Sequence, residues 1–128
     1  MSITHTIQTT WENGTSAVST RKQVTSDSEI NVDVVIASAT TNGQIVCAID
    51  ISELKSIVLN STKDVTVKTN DGSTPDDTFT LKANNPLVWN NESPTANPFS
   101  ADITDLYVTN ASGADATVQV RALLDVTP

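Results

Sequence analysis

The sequence predicts an all-β fold: a single antiparallel β-sandwich or jelly roll of about eight to nine strands. Three observations carry this. Apolar residues recur with period two, most cleanly at Ile30, Val32, Val34 and Ile36, which alternate with Glu29, Asn31 and Asp33. Breakers fall between the alternating runs: Asn13-Gly14, Asn42-Gly43, Asp71-Gly72 and Ser112-Gly113, with Pro75, Pro86, Pro94 and Pro98 between strands and Pro128 at the end. Polarity comes from 20 Thr, 13 Ser and 11 Asn, while charged residues make up only 17% of the chain. Thr suits half-buried strands and Asn suits turns. At 128 residues the chain has the length of one domain, 1–128, with enough surface to bury a core.

The elements follow in order. Residues 3–11 alternate, with Ile3, His5, Ile7, Thr9 and Trp11 on one face, so 1–12 reads as an N-terminal strand or arm. Residues 17–25 form a more polar strand whose Arg21-Lys22 pair suits an edge. Residues 29–36 are a strand, 37–43 a loop, and 44–50 a central strand that is apolar on both faces. Residues 56–60 and 64–69 read as a hairpin around Asn60-Ser61-Thr62-Lys63, followed by a turn-rich loop at 70–76. Strands then follow at 77–83, 87–90, 106–110 and 115–124, with Phe79, Leu81, Val118, Val120, Ala122 and Leu124 inward. The longest irregular stretch is 90–101. It is flanked by Trp89 and contains Phe99, and loops of this length are often functional.

One phrase occurs twice. Asp50-Ile51-Ser52-Glu53-Leu54 and Asp102-Ile103-Thr104-Asp105-Leu106 both fit D-I-[ST]-[DE]-L. Each is followed by a strand, an Asn-led turn and an Asp-led strand, Asp64-Val65-Thr66-Val67-Lys68 answering Asp115-Ala116-Thr117-Val118-Gln119. Ser52 is a fair N-cap, and Glu53 and Asp105 would sit in a first turn favoured by the helix dipole. The pair therefore predicts one-turn helical corners near 52–55 and 103–106, each leading into a hairpin.

Charge and cysteine content restrict the function. The net charge of −8 leaves no cationic footprint for nucleic acid or for an anionic membrane surface. The single cysteine, Cys47, allows no intrachain disulfide, so the fold needs no oxidising compartment. MSITHTIQTTWENG has neither the basic start nor the apolar run of a signal peptide, which predicts synthesis in a cytoplasm.

Candidates for chemistry are few. His5 is the only histidine, and no G-x-S-x-G elbow, glycine-rich phosphate loop or zinc spacing occurs. Cys47 lies in the most apolar strand, where an inert buried thiol is expected. Asp71, Asp76 and Asp77 share one loop and are weak candidates for calcium, although they lack EF-hand spacing and suit a turn equally well. No enzyme and no cofactor are predicted. Trp11, Trp89 and Phe99 are the candidate partner-interface residues, with the alternative that Phe99 pins the 90–101 loop into the core. Trp11, Trp89 and Tyr107 would be the platform of a carbohydrate-binding module.

The runs Lys63–Asn70, Pro75–Leu81, Asn97-Pro98-Phe99 and Asp102–Asn110 resemble small accessory structural proteins of tailed bacteriophages, of the β-sandwich head-decoration (cement) type. The likeness covers roughly residues 28–125 and consists of strand and turn phrases. It implies a virion protein without catalytic residues. It further implies binding to the major capsid protein, often as a trimer at local symmetry axes. A tail or other virion component, and a carbohydrate-binding module for host recognition, are the alternatives.

Overall fold

In the computed structural model, residues 2–127 are described; Met1 and Pro128, the ends of the predicted 1–128 domain, lie outside them. Ten strands are present: β1 (Ile3–Glu12), β2 (Ala17–Ser26), β3 (Ser28–Ile36), β4 (Thr40–Ile49), β5 (Leu54–Ser61), β6 (Val65–Thr69), β7 (Thr78–Leu81), β8 (Leu87–Asn90), β9 (Ile103–Asn110) and β10 (Ala116–Leu124). They form two four-stranded sheets, β3-β10-β5-β8 and β4-β9-β6-β7, and a separate ribbon of β1 and β2. All named pairings are antiparallel. The total exceeds the expected eight to nine strands, although each of the ten, the ribbon's two included, overlaps a run read as a strand from the sequence.

The two larger sheets share one core. Ile36, Ile57, Leu59, Val118 and Val120 come from the first, and Ile45, Val67, Leu81, Leu106 and Val108 from the second. Alternation explains their selection, since every second residue of a strand points to the same side. Burying each such side chain contributes about 1.5–3 kcal/mol. Ile30, Val32 and Val34 of the edge strand β3 are half-buried against this core, while Glu29, Asn31 and Asp33 face out.

Several expectations need correction. Residues 56–60 and 64–69 are not a hairpin: β5 and β6 belong to different sheets, and the turn between them arches across the core. The link from β9 to β10 does the same. The predicted helical corners are also absent. At 50–54 the backbone makes a tight turn, with Glu53 N–H donating to Asp50 O at 3.0 Å and Leu54 N–H to Ile51 O at 3.3 Å. Asp50, not Ser52, caps it: its carboxylate accepts the Ser52 N–H (2.9 Å) and hydroxyl (2.6 Å). Residues 103–106 are the first half of β9, because Ile103 and Leu106 pair with Ile49 and Ile45 of β4. The two D-I-[ST]-[DE]-L phrases are therefore not equivalent, although they touch: Ile51 N–H donates to Asp102 Oδ1 at 3.0 Å. The 37–43 loop is shorter than expected, since β4 begins at Thr40 and Gly43 sits within it beside a bulge. A Cβ on Gly43 would meet Thr40 Cγ2 at 2.9 Å, which accounts for glycine there.

A true internal equivalence lies in the arches and tight turns. Ser61 and Asn110 end β5 and β9, and both are fully buried. The Ser61 carbonyl accepts Asn84 N–H (2.8 Å), and the Asn110 carbonyl accepts Ala39 N–H (3.0 Å). Asp64 Oδ1 accepts Ala83 N–H (2.9 Å), and Asp115 Oδ1 accepts Ser38 N–H (3.0 Å). Asn85 N–H bonds Lys82 O as Thr40 N–H bonds Ala37 O. Asn84 and Ala39 both have positive φ, 57° and 67°. The units β3–β6 and β7–β10 are therefore two versions of one four-strand plan.

The ribbon packs over the outside of the first sheet. Leu123 and Ser56 are ladder partners that point away from the core, yet both are buried, because β2 lies against β5 and β10. Val24 is buried with them. His5 Nε2 lies 2.8 Å from Glu29 Oε2 on β3, and Lys22 pairs with Glu92 beyond β8. Asp27, between β2 and β3, accepts the Val126 N–H at 3.0 Å and the Thr127 hydroxyl. Beyond this base, residues 8–21 are exposed without exception, so the distal ribbon stands clear of the sheets.

Candidate functional site

The ribbon's face toward the sandwich continues to its tip. Cross-strand register sets Ile3, His5, Ile7, Thr9 and Trp11 on one side with Val24, Lys22, Thr20 and Val18. At the base this face is half-buried. At the far end Trp11 and Val18 are direct partners and remain 54% and 56% exposed. The opposite face is polar and carries the charges of Arg21, the partner of Gln8, and Glu12; along it the Thr4 and Thr25 hydroxyls are 2.8 Å apart. The turn is built for rigidity: Asn13 Oδ1 accepts Thr15 N–H (3.1 Å) and Ser16 N–H (2.9 Å), and Gly14 has φ +90°. Trp11, an interface candidate in the sequence, lies at the exposed end of the ribbon beside its cross-strand partner Val18. Register was the missing information.

Phe99 and Trp89 are placed differently. Phe99 is 3% exposed and packs edge-to-face on Phe79, ring centres 5.2 Å apart, so it is a core residue and not an interface candidate. Trp89 packs half-buried against the core, and its Nε1–H donates to Thr95 O at 3.1 Å. The 90–101 loop is sewn to its own sandwich rather than free as an arm. Asn91 N–H bonds Lys55 O (2.8 Å) and Ser100 N–H bonds Asp77 Oδ2 (2.8 Å). Trp11, Trp89 and Tyr107 lie on three different sheets, which gives no common aromatic platform.

The loop carboxylates do not converge. Asp71 accepts the N–H groups of Ser73 (2.7 Å) and Thr74 (3.3 Å), and these bonds hold its pKa below the ordinary carboxyl value. Asp76 accepts from Asn70 Nδ2 (2.7 Å), and Asp77 is turned toward Ser100. Among the described residues, no group of three or more His, Cys, Asp or Glu side chains could hold a metal ion. Asn70, which sequence reasoning passed over, clamps this loop to the start of β9. Its amide donates to Asp102 O (2.8 Å) and accepts Thr104 N–H (2.7 Å), with φ at +69°. Cys47 is buried and free, and its thiol pKa is raised, first by burial and then by the nearby Asp105 charge. No described helix is long and apolar enough to cross a membrane.

No family model matches the chain, and no curated protein does. Among solved structures, one similar chain comes from a study entitled "Bacillus endospore appendages form a novel family of disulfide-linked pili". It is 13% identical, with 77% of this chain and 88% of that chain covered, at a TM-score of 0.35. That value is too low to carry an argument about fold or function.

Proposed function

We propose that the protein is a non-enzymatic structural component of a tailed-phage virion, a decoration protein that binds the head surface as an oligomer. The carrying observation is the outstanding ribbon with Trp11 and Val18 exposed at its end, an element spent on contact rather than on the core. The strand orders support a compact shell-type module: β3-β10-β5-β8 against β4-β9-β6-β7 is the order of an eight-stranded jelly roll, an architecture used by viral capsid and lectin domains. The phrases that resemble decoration proteins fall mainly on β6, β7 and β9.

In this reading the protein acts by burying surface between shell subunits and so raises the barrier to rupture. Its partner is the major capsid protein or another virion protein, its place is the virion, and a trimer is the favoured assembly. Few charges limit repulsion between packed copies, while −8 per chain keeps free subunits apart from packaged DNA.

The test is to mix purified protein with undecorated heads and pellet them. Saturable co-sedimentation supports the reading, and protein left wholly in the supernatant removes its capsid form. Electron microscopy of the virion separates head from tail placement. Glycan-array binding lost on Trp11→Ala would instead favour host-sugar recognition.

A further inference from the structure

We infer that the cleft between the ribbon base and the outer face of the first sheet is a binding site for a short neutral saccharide. The inference goes beyond shell binding and does not depend on it.

The cleft opens where the ribbon leaves the sheet. On the outer side, β5 and β10 set three same-face rungs in a row: Ser56–Leu123, Val58–Arg121 and Asn60–Gln119. The ribbon covers the first, and both of its residues are buried. The residues of the next two rungs are only half-buried. Two adjoining cavities lie there and share Val58 and Arg121 as walls. One, of about 310 Å³, is closed on the ribbon side by Thr4 to Ile7. The other, of about 350 Å³, is closed by Asn60, Gln119 and, from the β7–β8 turn, Asn84 and Pro86. Each volume sits at the low end of the roughly 300–1,000 Å³ found for small-ligand clefts.

The walls select the ligand by chemistry. β5 and β10 are interior strands, so their backbone groups are spent in the ladders and no edge is free to add a peptide strand. The two charged side chains are engaged within the chain. Arg121 Nη2 lies 2.8 Å from Asp33 Oδ1, and its Nη1 donates to the carbonyls of Val32 and Val120. His5 Nε2 lies 2.8 Å from Glu29 Oε2. An ionic ligand therefore meets charges that are already paired.

What remains is neutral. Val58, Pro86 and Ile7 are apolar, and Asn60, Gln119 and Asn84 carry amides. Asn60 Nδ2 donates to Gln119 Oε1 at 3.1 Å, which holds these two amides side by side. Among the described residues, Asn60 Oδ1 is the one buried side-chain nitrogen or oxygen without a hydrogen-bond partner. Folded chains rarely leave such an atom unpaired. A ligand hydroxyl would supply the donor once the Asn60 amide turns outward. A wholly apolar ligand would strand the amides at a cost. A sugar ring fits both surfaces: its C–H groups pack on Val58 and Pro86, and its hydroxyls donate and accept as amides do.

The experiment uses the isolated full chain, with no heads present. An array of neutral hexose, deoxyhexose and N-acetylhexosamine oligosaccharides is screened beside acidic glycans, and the strongest neutral binder is titrated into the protein by NMR. Binding to a neutral glycan is expected, with the largest shifts at the side-chain amide signals of Asn60 and Gln119 and at the backbone of His5 to Ile7. Asn60→Ala and, separately, Gln119→Ala are each expected to weaken it about tenfold or more. Silence across the neutral glycans, or binding confined to acidic ones, overturns the inference. Binding that leaves the Asn60 and Gln119 signals unmoved also overturns it, and loss of such binding on Trp11→Ala would put the sugar on the ribbon tip. The wild-type titration decides the site even where a variant fails to fold. Failure here leaves shell binding intact, whereas failure to pellet with heads leaves the saccharide site intact.

Discussion

Ser61 and Asn110 hold the same position in the two halves of the sandwich. Each ends a central strand at zero exposure, and each offers its carbonyl to a residue in the left-handed region, Asn84 and Ala39 respectively. Their side chains finish the arches differently. Ser61 Oγ donates to Lys63 O at 2.7 Å. Asn110 Nδ2 donates to Ile36 O (2.9 Å) and Ala114 O (2.8 Å), while its Oδ1 accepts the Ser112 hydroxyl (2.7 Å).

Asn110→Ala therefore strips partners from buried carbonyls and is expected to cost about 2–3 kcal/mol, against about 1 kcal/mol for Ser61→Ala. Urea unfolding measures both. Equal costs would mean that the two arches do not differ as their hydrogen bonds indicate.

Ala39 adopts φ +67° with a Cβ in place, whereas its counterpart is an Asn, a residue that tolerates this region. Ala39→Gly is expected to stabilise by about 0.5–1 kcal/mol, read as a higher unfolding midpoint at unchanged slope. A loss of stability would show that the turn does not hold this conformation.

Phe99 and Trp11 separate core from surface. Phe99→Ala empties the pocket against Phe79 and is expected to cost about 3–5 kcal/mol. Trp11→Ser should shift unfolding of the monomer by under about 0.5 kcal/mol. Comparable losses for the two would place Trp11 in a packed site.

Four carboxylates have pKa values held below the ordinary one: Asp27 mainly by the Thr127 hydroxyl, Asp50 by Ser52, Asp64 by the Ala83 N–H and Asp71 by the Ser73 N–H. A depressed pKa in the folded state means that the unfolded chain binds protons first as pH falls. Stability from these groups is complete above the unfolded value of about 4 and is lost as pH drops through the lower folded values. A thermal midpoint that is flat from pH 7 to 5 and falls below about pH 4 is the expected profile. A midpoint that rises in acid would contradict it.

The strands were legible because alternation and breakers agree. Ile30 to Ile36 and Val118 to Leu124 face inward as their period requires. What the pattern cannot encode is which sheet a strand joins, so the arch at Asn60-Ser61-Thr62-Lys63 read as a hairpin. Local chemistry misled at 103–106, where Asp102 and Thr104 look like a cap. Pairing with β4 overrides that propensity, and Asp102 serves Ile51 instead. Thr40 to Gly43 read as loop because hydroxyl and amide residues also fill an edge strand. Trp11 was legible as a lone aromatic near one end of the chain. Its pairing with Val18, and the base that leaves the tip unsupported, needed the register of β1 on β2.

The proposed strengthening of a shell by bound protein can be tested directly. The most direct measurement is the rupture temperature of undecorated heads with and without added protein, with bound protein quantified in the same samples. The expected result is a rise that saturates with occupancy and shrinks with Trp11→Ser. An unchanged rupture temperature at full occupancy, or no occupancy at all, would contradict it.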